Sequence, residues 1–564
     1  MCGIAGILSK NGTNVVPQVG LMLRCMVNRG PDGAGLVADG QIIKYDSVSA
    51  LQSQLRDVSG SNAFGHTRLA IVGGTCGAQP FTSCDGRFVL EHNGEIYNYK
   101  ELRKKIEKRH RLSTTTDSEI IVHLLEENAK NSSLLGAIKK TVADLDGVYA
   151  LAIKDEQTGE IALVRDRIGV RQLYYAESND LLAFASERKA LWKIGISEPT
   201  RRILPGSAII ISPDGKLQSF QVAAPIPKGK KILYRTMRSA IDAYKNALVE
   251  SMKKRTQDFK RIGIIFSGGI DSVLVAQLAS KMVPEVICYT GGVKGSNDIA
   301  CARQIAERLG LKLKVCEFTE QEVESLIPKV IDVIEDSNAG QVEVALPVYG
   351  AVALAHKDGI NVMITGQGAD ELYGGYSWYA KVAEKEGYKK LREHMVEDLL
   401  LLYKETLERE DKITMAHSIE LREPFLDPEV IKVALATDLR LNVKGSTDAF
   451  GKHVHRRGAE ELGIPRDIAY RIKEAAQHGS GIHGTIDAIA RRHGYDEETV
   501  PTSYLQILRN REKIGSSQRY GYLFGDEKIW IAETHVQLYL DNVSTKMLRS
   551  EILAEARNSR KPTI

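Results

Sequence analysis

The pattern of apolar and polar positions changes near residue 215. Before it, short apolar runs of β type at residues 87–91, 148–154 and 160–165 are separated by Gly, Asn and Asp. Residues 100–108 and 117–127 instead place apolar side chains every three or four positions, which is typical of amphipathic helices. The first part of the chain is therefore predicted to be α+β.

The later part of the chain has a different pattern. Short, nearly continuous apolar runs at 262–266, 286–290, 313–318 and 362–365 alternate with helical patterns, as expected for parallel strands covered on both faces. Beyond residue 376 the pattern is almost wholly helical. We therefore predict an α/β domain with a helical C-terminal part, whose ligands bind at the carboxyl ends of the strands.

Chain length supports a division into domains. At 564 residues the chain is too long for one ordinary hydrophobic core. A stretch rich in Pro, Gly and Lys separates the two patterns, and it predicts a linker at 216–235 between domains at 1–215 and 236–564.

Composition argues against several classes of function. A net charge of +4 argues against a nucleic-acid partner, and no apolar run is long enough to cross a membrane. Seven scattered cysteines fit neither a disulfide framework nor a zinc ribbon, which favours a reducing compartment. Since the first residues also lack the pattern of a secretion signal, we expect a cytoplasmic protein.

Cys2 is the first candidate for chemistry. Removal of the initiator methionine leaves its thiol beside a free α-amine, which can act as the general base. A cysteine at this position is by itself more commonly a small buried residue. The prediction of a nucleophile therefore depends on other motifs.

Those motifs follow at four places: RGPD at 29–32, GHTRLAIV at 65–72, HNGEIYN at 92–98 and TDSE at 116–119. Together they resemble the class II glutamine amidotransferases over about the first 210 residues. The resemblance implies a four-layer αββα sandwich that hydrolyses glutamine to glutamate and ammonia. Gln172 departs from it, because the family usually has Pro there.

The chemistry of glutamine hydrolysis gives these residues roles. The Asn93 side-chain amide and the Gly94 backbone N–H are expected to stabilise the oxyanion formed when Cys2 attacks. Arg68 is expected to bind the α-carboxylate of glutamine, and Asp117, with the region of Glu95, its α-ammonium group. Taken singly, Asn-Gly is a turn, Asp117 a helix cap and Arg68 a surface charge, so their joint occurrence favours catalysis.

A second candidate site follows the apolar run at 262–266, where a glycine loop leads into a helical pattern: Ser267, Gly268, Gly269, Ile270, Asp271 and Ser272. Backbone N–H groups, two hydroxyls and a helix N-terminus make such a loop a phosphate site, although a plain glycine turn is the alternative. Asp271 would repel phosphate without a cation, so it predicts Mg²⁺. The loop resembles that of enzymes which cleave ATP to AMP and pyrophosphate.

The sequence TGQGADELYGGY at 365–376 is expected to bring Asp370 to the same Mg²⁺. The order of both loops behind a glutaminase domain resembles the glutamine-hydrolysing asparagine synthetases over nearly the whole chain. The resemblance implies that the adenosine of ATP lies near Phe266, Gly291, Thr365 and Gly366. It also implies that Lys473 faces the reacting phosphate and acyl group, although a lone lysine is more commonly a surface residue.

The resemblance implies one reaction with glutamine, aspartate and ATP as small-molecule substrates. ATP activates the aspartate β-carboxylate as an acyl-adenylate, and ammonia from the first domain then displaces AMP. A largely apolar passage between the domains would keep ammonia unprotonated and out of bulk water. A homodimer is an expectation from the resemblance alone.

Gln367 leaves three interpretations open. Asparagine synthetases commonly have a glutamate there that is thought to assist attack by ammonia, and a glutamine cannot act as a base. If the acceptor is aspartate, the departing phosphate or Glu371 is expected to take the proton. The second interpretation is an amide ligase acting on another carboxylate, and the third is a non-catalytic glutamine-sensing subunit.

Overall fold

The computed structural model describes residues 2–74, 77–196, 199–226, 231–445, 447–472, 475–509 and 533–558. Thirteen strands and six α-helices form the first part of this described structure. The strands are β1 (Cys2–Ser9), β2 (Ala34–Ala38), β3 (Gln41–Tyr45), β4 (Asn62–Arg68), β5 (Phe81–Thr82), β6 (Phe88–Ile96), β7 (Gly147–Asp155), β8 (Ile161–Arg165), β9 (Tyr174–Glu177), β10 (Leu181–Ala185), β11 (Arg201–Arg202), β12 (Ser207–Ile211) and β13 (Leu217–Gln221). The helices are α1 (Val16–Cys25), α2 (Val48–Gln54), α3 (Tyr99–Ile106), α4 (Glu119–Ala129), α5 (Leu134–Asp144) and α6 (Arg188–Lys193).

The strands form two antiparallel sheets. The first has the order β11-β9-β10-β1-β4-β2-β3 and the second the order β13-β12-β8-β7-β6-β5. Ile4, Phe64 and Phe184 of the first sheet share a buried core with Leu163 and Ile209 of the second. The inner face of each sheet is covered by the other sheet, and the outer face is covered by helices. This explains why strands such as β1 and β8 are apolar along nearly their whole length.

Helices cover the outer faces of both sheets. Val19 of α1, Leu51 of α2 and Leu191 of α6 pack on the first sheet, and α3, α4 and α5 pack on the second. The predicted αββα sandwich is therefore confirmed. Its strand β13 lies at the start of the predicted linker, because Leu217–Gln221 pairs with Ser207–Ile211. The other domain limits stay predictions.

The later part of the described structure holds five strands and fifteen α-helices. The strands are β14 (Arg261–Ile265), β15 (Glu285–Val293), β16 (Lys312–Phe318), β17 (Val362–Ile364) and β18 (Glu420–Arg422). The helices are α7 (Met237–Thr256), α8 (Ile270–Met282), α9 (Asn297–Arg308), α10 (Glu320–Ile334), α11 (Ala339–Lys357), α12 (Ala369–Tyr373), α13 (Ser377–Leu402), α14 (Glu408–Met415), α15 (Pro428–Ala436), α16 (His453–Glu461), α17 (Arg466–Ala469), α18 (Ala476–Gly479), α19 (Ile482–Arg492), α20 (Thr502–Arg509) and α21 (Thr534–Asn558).

The five strands form one parallel sheet in the order β16-β15-β14-β17-β18. Buried side chains of α7, α8 and α15 pack on one face, and those of α10, α11 and α19 pack on the other. This confirms the predicted α/β domain. The region after residue 376 is not purely helical, because β18 extends the sheet by pairing with β17.

Helix α14 lies between the two domains with all eight of its residues buried. Its charged side chains have partners on other elements, as burial of charge requires. Glu408 pairs with Arg202 at 2.9 Å, and Asp411 pairs with Arg29 at 2.9 Å, both across the domain boundary. Lys412 pairs with Glu335 at 2.7 Å. Helix α14 therefore joins the domains through ion pairs.

Across the described ranges, no helix combines the length and the apolar character that a membrane span requires.

Candidate active sites

Cys2 begins β1 and lies opposite Arg68 of β4 in the first sheet. Its backbone N–H donates to Asn93 Oδ1 at 3.0 Å, and its carbonyl oxygen accepts from Arg29 Nε at 3.1 Å. Asn93 is buried, and its Nδ2 has no hydrogen-bond partner within the described ranges. A buried amide donor beside the nucleophile has the chemistry that an oxyanion requires.

Cys2 is only 7% exposed. Burial raises its pKa, while the backbone N–H of Leu69 and the Arg68 guanidinium act in the opposite direction. A thiol with a raised pKa attacks slowly unless a neighbouring base removes its proton. The site therefore needs a base next to Cys2, in agreement with the predicted use of the α-amine.

A cleft brings together five of the predicted glutaminase residues: Cys2, Arg68, Gly94, Glu95 and Asp117. The Arg68 guanidinium donates to the Gly74 carbonyl oxygen. Asp117 Oδ2 accepts from the Ile96 N–H at 2.9 Å, and burial raises the pKa of its carboxyl to about 6. The arrangement provides a cation and a carboxylate for the two ends of an amino acid.

Glu95 also contacts the second domain. One of its oxygens lies 3.3 Å from Nη2 of Arg422 on β18. Burial raises the pKa of the Glu95 carboxyl well above its ordinary value, and Arg422 acts against this rise. The first cleft is therefore partly held by a residue of the second domain.

The second cleft lies at the carboxyl ends of β14 and β15. Phe266 and Gly291, two of the residues predicted for the adenosine of ATP, line it beside Ser267 of the predicted phosphate loop. A Cβ on Gly291 would lie 2.3 Å from the Pro347 carbonyl oxygen, so only glycine fits there. The position agrees with the rule that ligands of parallel sheets bind at this edge.

The predicted phosphate loop lies between β14 and α8. Its Gly268 has a φ of +67°, and Ser272 Oγ donates to the Gly269 carbonyl oxygen at 3.0 Å. A Cβ on Gly366 would lie 2.8 Å from that of Asp271, so the loop after β17 packs directly against this one. Buried Thr365 precedes this contact. The structure thus brings both predicted ATP loops together.

Asp271 and Asp370 converge on one cation. Lys452 Nζ lies 2.8 Å from an oxygen of Asp271 and 2.7 Å from one of Asp370. His455 Nε2 lies 3.0 Å from Asp271. Burial alone would raise the pKa of Asp271, but Lys452 and His455 hold it well below its ordinary value. Because both carboxylates face the same positive charge, they suit Mg²⁺ as well.

Comparison with known proteins assigns the chain to a family. The glutamine amidotransferase domain profile matches residues 54–202, and the asparagine synthase profile matches residues 243–386 and 380–540. The chain belongs to the asparagine synthase family. One relative, from Methanocaldococcus jannaschii, carries the name asparagine synthetase (glutamine-hydrolyzing). It is 33% identical over 556 residues, and the alignment covers 91% of this chain and 99% of the relative.

Two further relatives carry the name asparagine synthetase [glutamine-hydrolyzing]. Asparagine synthetase B of Escherichia coli is 26% identical and covers 88% of this chain and 86% of its own. The Brassica oleracea enzyme is 27% identical and covers 87% of this chain and 80% of its own. The similarity to asparagine synthetases thus includes both domains.

Three residues of this asparagine synthase family member need separate comment. Gln172, which departs from the amidotransferase pattern, donates through Nε2 to Asp411 at 2.5 Å and so joins the domain interface. Gln367 donates through Nε2 to Glu410 of α14. Lys473, predicted to face the reacting groups, lies outside the described residues. Its role stays a prediction.

Sequence reasoning missed Lys452 and Glu410. Lys452 lies in a polar stretch without a motif, and its left-handed backbone, with a φ of 52°, has no signal in the sequence. Glu410 stands among other charged residues that resemble an exposed helix. After residue 407 the sequence shows only acidic and basic residues at helical spacing. This pattern predicts a helix but does not indicate that the helix is buried.

Proposed function

We propose that this protein is a glutamine-dependent asparagine synthetase that forms asparagine, glutamate, AMP and pyrophosphate. The observation that carries the proposal is the presence of both chemistries in one chain. A nucleophile cleft contains Cys2, and a phosphate loop contains Asp271. The buried helix α14 contacts both domains. Ammonia released in the first cleft is therefore formed next to the domain that uses it.

The first step is glutamine hydrolysis. Arg68 binds the α-carboxylate of glutamine and Asp117 its α-ammonium, which places the side-chain amide beside Cys2. The α-amine takes the thiol proton, the sulfur attacks the amide carbon, and Asn93 Nδ2 with the Gly94 N–H stabilises the oxyanion. The oxyanion then collapses to a thioester as the amide C–N bond breaks, and ammonia leaves with the proton that the α-amine had taken. Water next hydrolyses the thioester, which releases glutamate and restores the thiol.

The second step is activation of the carboxylate by ATP. The adenosine binds beside Phe266 and Gly291, and the loop from Ser267 to Ser272 holds the phosphates at the N-terminus of α8. We propose that Asp271 and Asp370 hold Mg²⁺, which would supply positive charge for the pyrophosphate. Lys452 lies between both carboxylates and holds them facing each other.

Ammonia must cross between the clefts without taking up a proton. Leu69, which donates its N–H to the Cys2 thiol, packs with Ile71 and with Met415 of α14 in a small apolar cluster. Apolar side chains exclude the water that would protonate ammonia. We propose that ammonia leaves the first cleft along this cluster.

A second candidate function is the same chemistry with another carboxylic acid. Gln367 favours it, because the loop departs from the usual family sequence beside the acceptor. The cytoplasmic location and the homodimer remain predictions.

The test is a set of carboxylic acids, aspartate among them, mixed with purified protein, ATP, Mg²⁺ and glutamine. Pyrophosphate release that depends on aspartate supports the first function, and release that depends on a different acid supports the second. Glutamine binding without glutamate or pyrophosphate formation would support the non-catalytic subunit instead.

A further inference from the structure

Four potential metal ligands meet in the first domain, outside both clefts. Cys84 lies between β5 and β6, His110 follows α3, and His123 and Glu126 lie on successive turns of α4. One ligand atom from each residue lies within 4.8 Å of the other three. The sequence spreads these residues over more than forty positions, which is why no short motif reveals them.

The distances have the scale of a tetrahedral site. Cys84 Sγ lies 3.6 Å from His123 Nδ1, and Glu126 Oε2 lies 3.4 Å from His110 Nδ1 and 3.6 Å from His123 Nδ1. A tetrahedral zinc with bonds of about 2.3 Å to sulfur and about 2.0 Å to nitrogen or oxygen separates its ligands by about 3.3 to 3.6 Å. Three of the six separations therefore match a tetrahedral zinc, and the other three are no longer than 4.8 Å.

The surroundings of the histidines also fit. His110 is 7% exposed, and its Nδ1 has no hydrogen-bond partner among the described residues. Its other nitrogen, Nε2, lies 3.2 Å from Glu127, and His123 Nε2 lies 3.9 Å from Glu119. A carboxylate behind each imidazole is the usual arrangement around a metal-bound histidine.

The charges balance as well. A cysteine thiolate and the Glu126 carboxylate carry two negative charges, which neutralise one Zn²⁺. The Cys84 N–H also donates to Glu126 Oε2 at 2.8 Å, which fixes the thiol-bearing turn against α4. Sulfur and imidazole together favour zinc over Mg²⁺ or Ca²⁺.

We propose that Cys84, His110, His123 and Glu126 bind one structural Zn²⁺. Four protein ligands leave no open position for a substrate, so the ion would hold structure rather than catalyse. It would tie α4, which follows Asp117, to the turn before β6, which carries Asn93 and Gly94. Zinc would thereby stabilise two segments of the glutamine cleft.

The test measures metal in the full-length protein by mass spectrometry after dialysis against buffer without chelator. We expect about one zinc per chain in the unaltered protein and in Cys2→Ala, and less than a tenth of that in Cys84→Ser and His123→Ala. Substitution with Co²⁺ should give intense tetrahedral absorption bands and a thiolate charge-transfer band that Cys84→Ser lacks. Cys25→Ser is the matched cysteine control and should keep both signals.

Two results would overturn the zinc site. One is failure of the unaltered protein to retain zinc after incubation with Zn²⁺ and dialysis. The other is equal zinc content, with unchanged cobalt spectra, in Cys84→Ser and the unaltered protein, which would place the ion elsewhere. Circular dichroism of each variant checks that the first domain is folded.

A different observation supports a second inference, at the contact between Gln367 and Glu410. Gln367 follows β17 and lies three residues before Asp370. Glu410 Oε1 accepts its Nε2 hydrogen bond, and Glu410 is 1% exposed. Glu410 Oε2 has no hydrogen-bond partner in the part of the chain that the structure describes. A buried carboxylate held by the Gln367 amide thus adjoins the ATP loops.

The position of Glu410 on α14 also connects it to the first cleft. The next residue, Asp411, pairs with Arg29, whose Nε donates to the Cys2 carbonyl oxygen. Glu410 therefore stands on the helix that separates the ammonia-producing cleft from the acyl-forming loops. Glu371, the acceptor suggested by sequence, already accepts from the Tyr376 hydroxyl.

On the basis of the proposed function, we infer that Glu410 accepts the proton that ammonia loses during amide formation. The nitrogen lone pair forms the C–N bond to the acyl carbon, an N–H proton passes to Glu410, and AMP leaves with the electron pair of the broken C–O bond. Glu410 later releases the proton to water. The Gln367 amide would orient the carboxylate.

The electrostatic surroundings of the Glu410 carboxylate agree with a role as proton acceptor. Burial raises the pKa of the Glu410 carboxyl, which strengthens it as a proton acceptor, and Arg409, Gln367 and Thr365 limit the rise. The Glu423 carboxyl also interacts electrostatically with Glu410.

The test separates the two half-reactions. In Glu410→Gln we expect aspartate-dependent exchange of pyrophosphate into ATP to stay within about threefold, while amide formation from added ammonia falls at least about 100-fold. The exchanged pair Gln367→Glu with Glu410→Gln should recover at least about tenfold of that loss. Glu429→Gln makes the same change at an exposed position of α15 and is the control. Its pyrophosphate exchange and its amide formation should match those of the unaltered protein.

The outcomes distinguish this inference from the proposed function. Absence of amide formation by the unaltered protein would contradict the function itself. Normal amide formation by Glu410→Gln would overturn the role of Glu410 alone. Loss without recovery in the exchanged pair, despite intact pyrophosphate exchange, would assign Glu410 to structure and also overturn the inference.

Discussion

Arg29 and Asp411 form a buried ion pair, 2.9 Å from Nη2 to Oδ2, that crosses the domain boundary beside the nucleophile. Arg29 also holds the Cys2 carbonyl oxygen, and Asp411 also pairs with Arg171 at 3.1 Å. A shift of α14 therefore acts directly on the backbone of Cys2. The pair gives a physical route by which the synthetase half can sense or control glutamine hydrolysis.

Asp411→Asn should uncouple the two reactions. It leaves two buried guanidinium groups without their shared carboxylate, which is expected to lower the free energy of unfolding by about 3 kcal/mol or more. We also expect more than one glutamate to form for each asparagine. Urea unfolding and the ratio of the two products measure these effects. Glu429→Gln, which breaks an exposed pair with Lys432, is the control and should change neither.

Cys2→Ala should abolish the use of glutamine but leave ammonia-dependent synthesis within about threefold. The substitution removes the sulfur that attacks the amide, whereas the ATP site lies in the other domain. Asparagine formation with glutamine or with ammonium chloride, measured side by side, checks this. Glutamine-dependent synthesis by Cys2→Ala would show that another residue is the nucleophile.

Glutamine use should depend on pH through Asp117. Its pKa is raised to about 6 by burial, so the carboxyl becomes neutral as the pH falls through 6. Since only the carboxylate attracts the α-ammonium of glutamine, kcat/KM for glutamine should fall about tenfold per pH unit below that value. The profile for ammonia, expressed against the concentration of unprotonated ammonia, is the control. Asp117→Asn should be weak at every pH, and retention of the acid limb in this variant would assign the titration to another group.

Asp271→Asn and Asp370→Asn should each lower pyrophosphate release at least about 100-fold while glutaminase activity remains. Either change removes a negative charge from the proposed Mg²⁺ site. Release measured over a range of Mg²⁺ concentrations should show a higher requirement for the metal. An unchanged Mg²⁺ dependence in both variants would separate these aspartates from the metal.

Much of the fold was predictable, because strands covered on both faces and amphipathic helices leave regular apolar patterns. The clefts were also predictable where residues stand in short motifs after a strand, as Asn93 and Asp271 do. Strand β18 was missed because only three residues pair, and Pro424 and charged residues surround it.

Contacts between distant residues escaped sequence reasoning. Lys452 reaches Asp271 across 181 positions, and Asp411 reaches Arg29 across 382. The short spacings around Cys84 give no sign of His110, which follows α3, or of His123 on α4, because only the folded sandwich brings these residues near. Such partners depend on tertiary packing, which leaves no local periodic signal.

The central claim is most directly tested by a balance of products. Purified protein is mixed with ATP, Mg²⁺, aspartate and glutamine labelled with ¹⁵N in its side-chain amide, and products are identified by mass spectrometry. We expect labelled asparagine together with AMP and pyrophosphate in equal amounts. Formation of glutamate and ammonia with no labelled asparagine and no aspartate-dependent AMP would contradict the account.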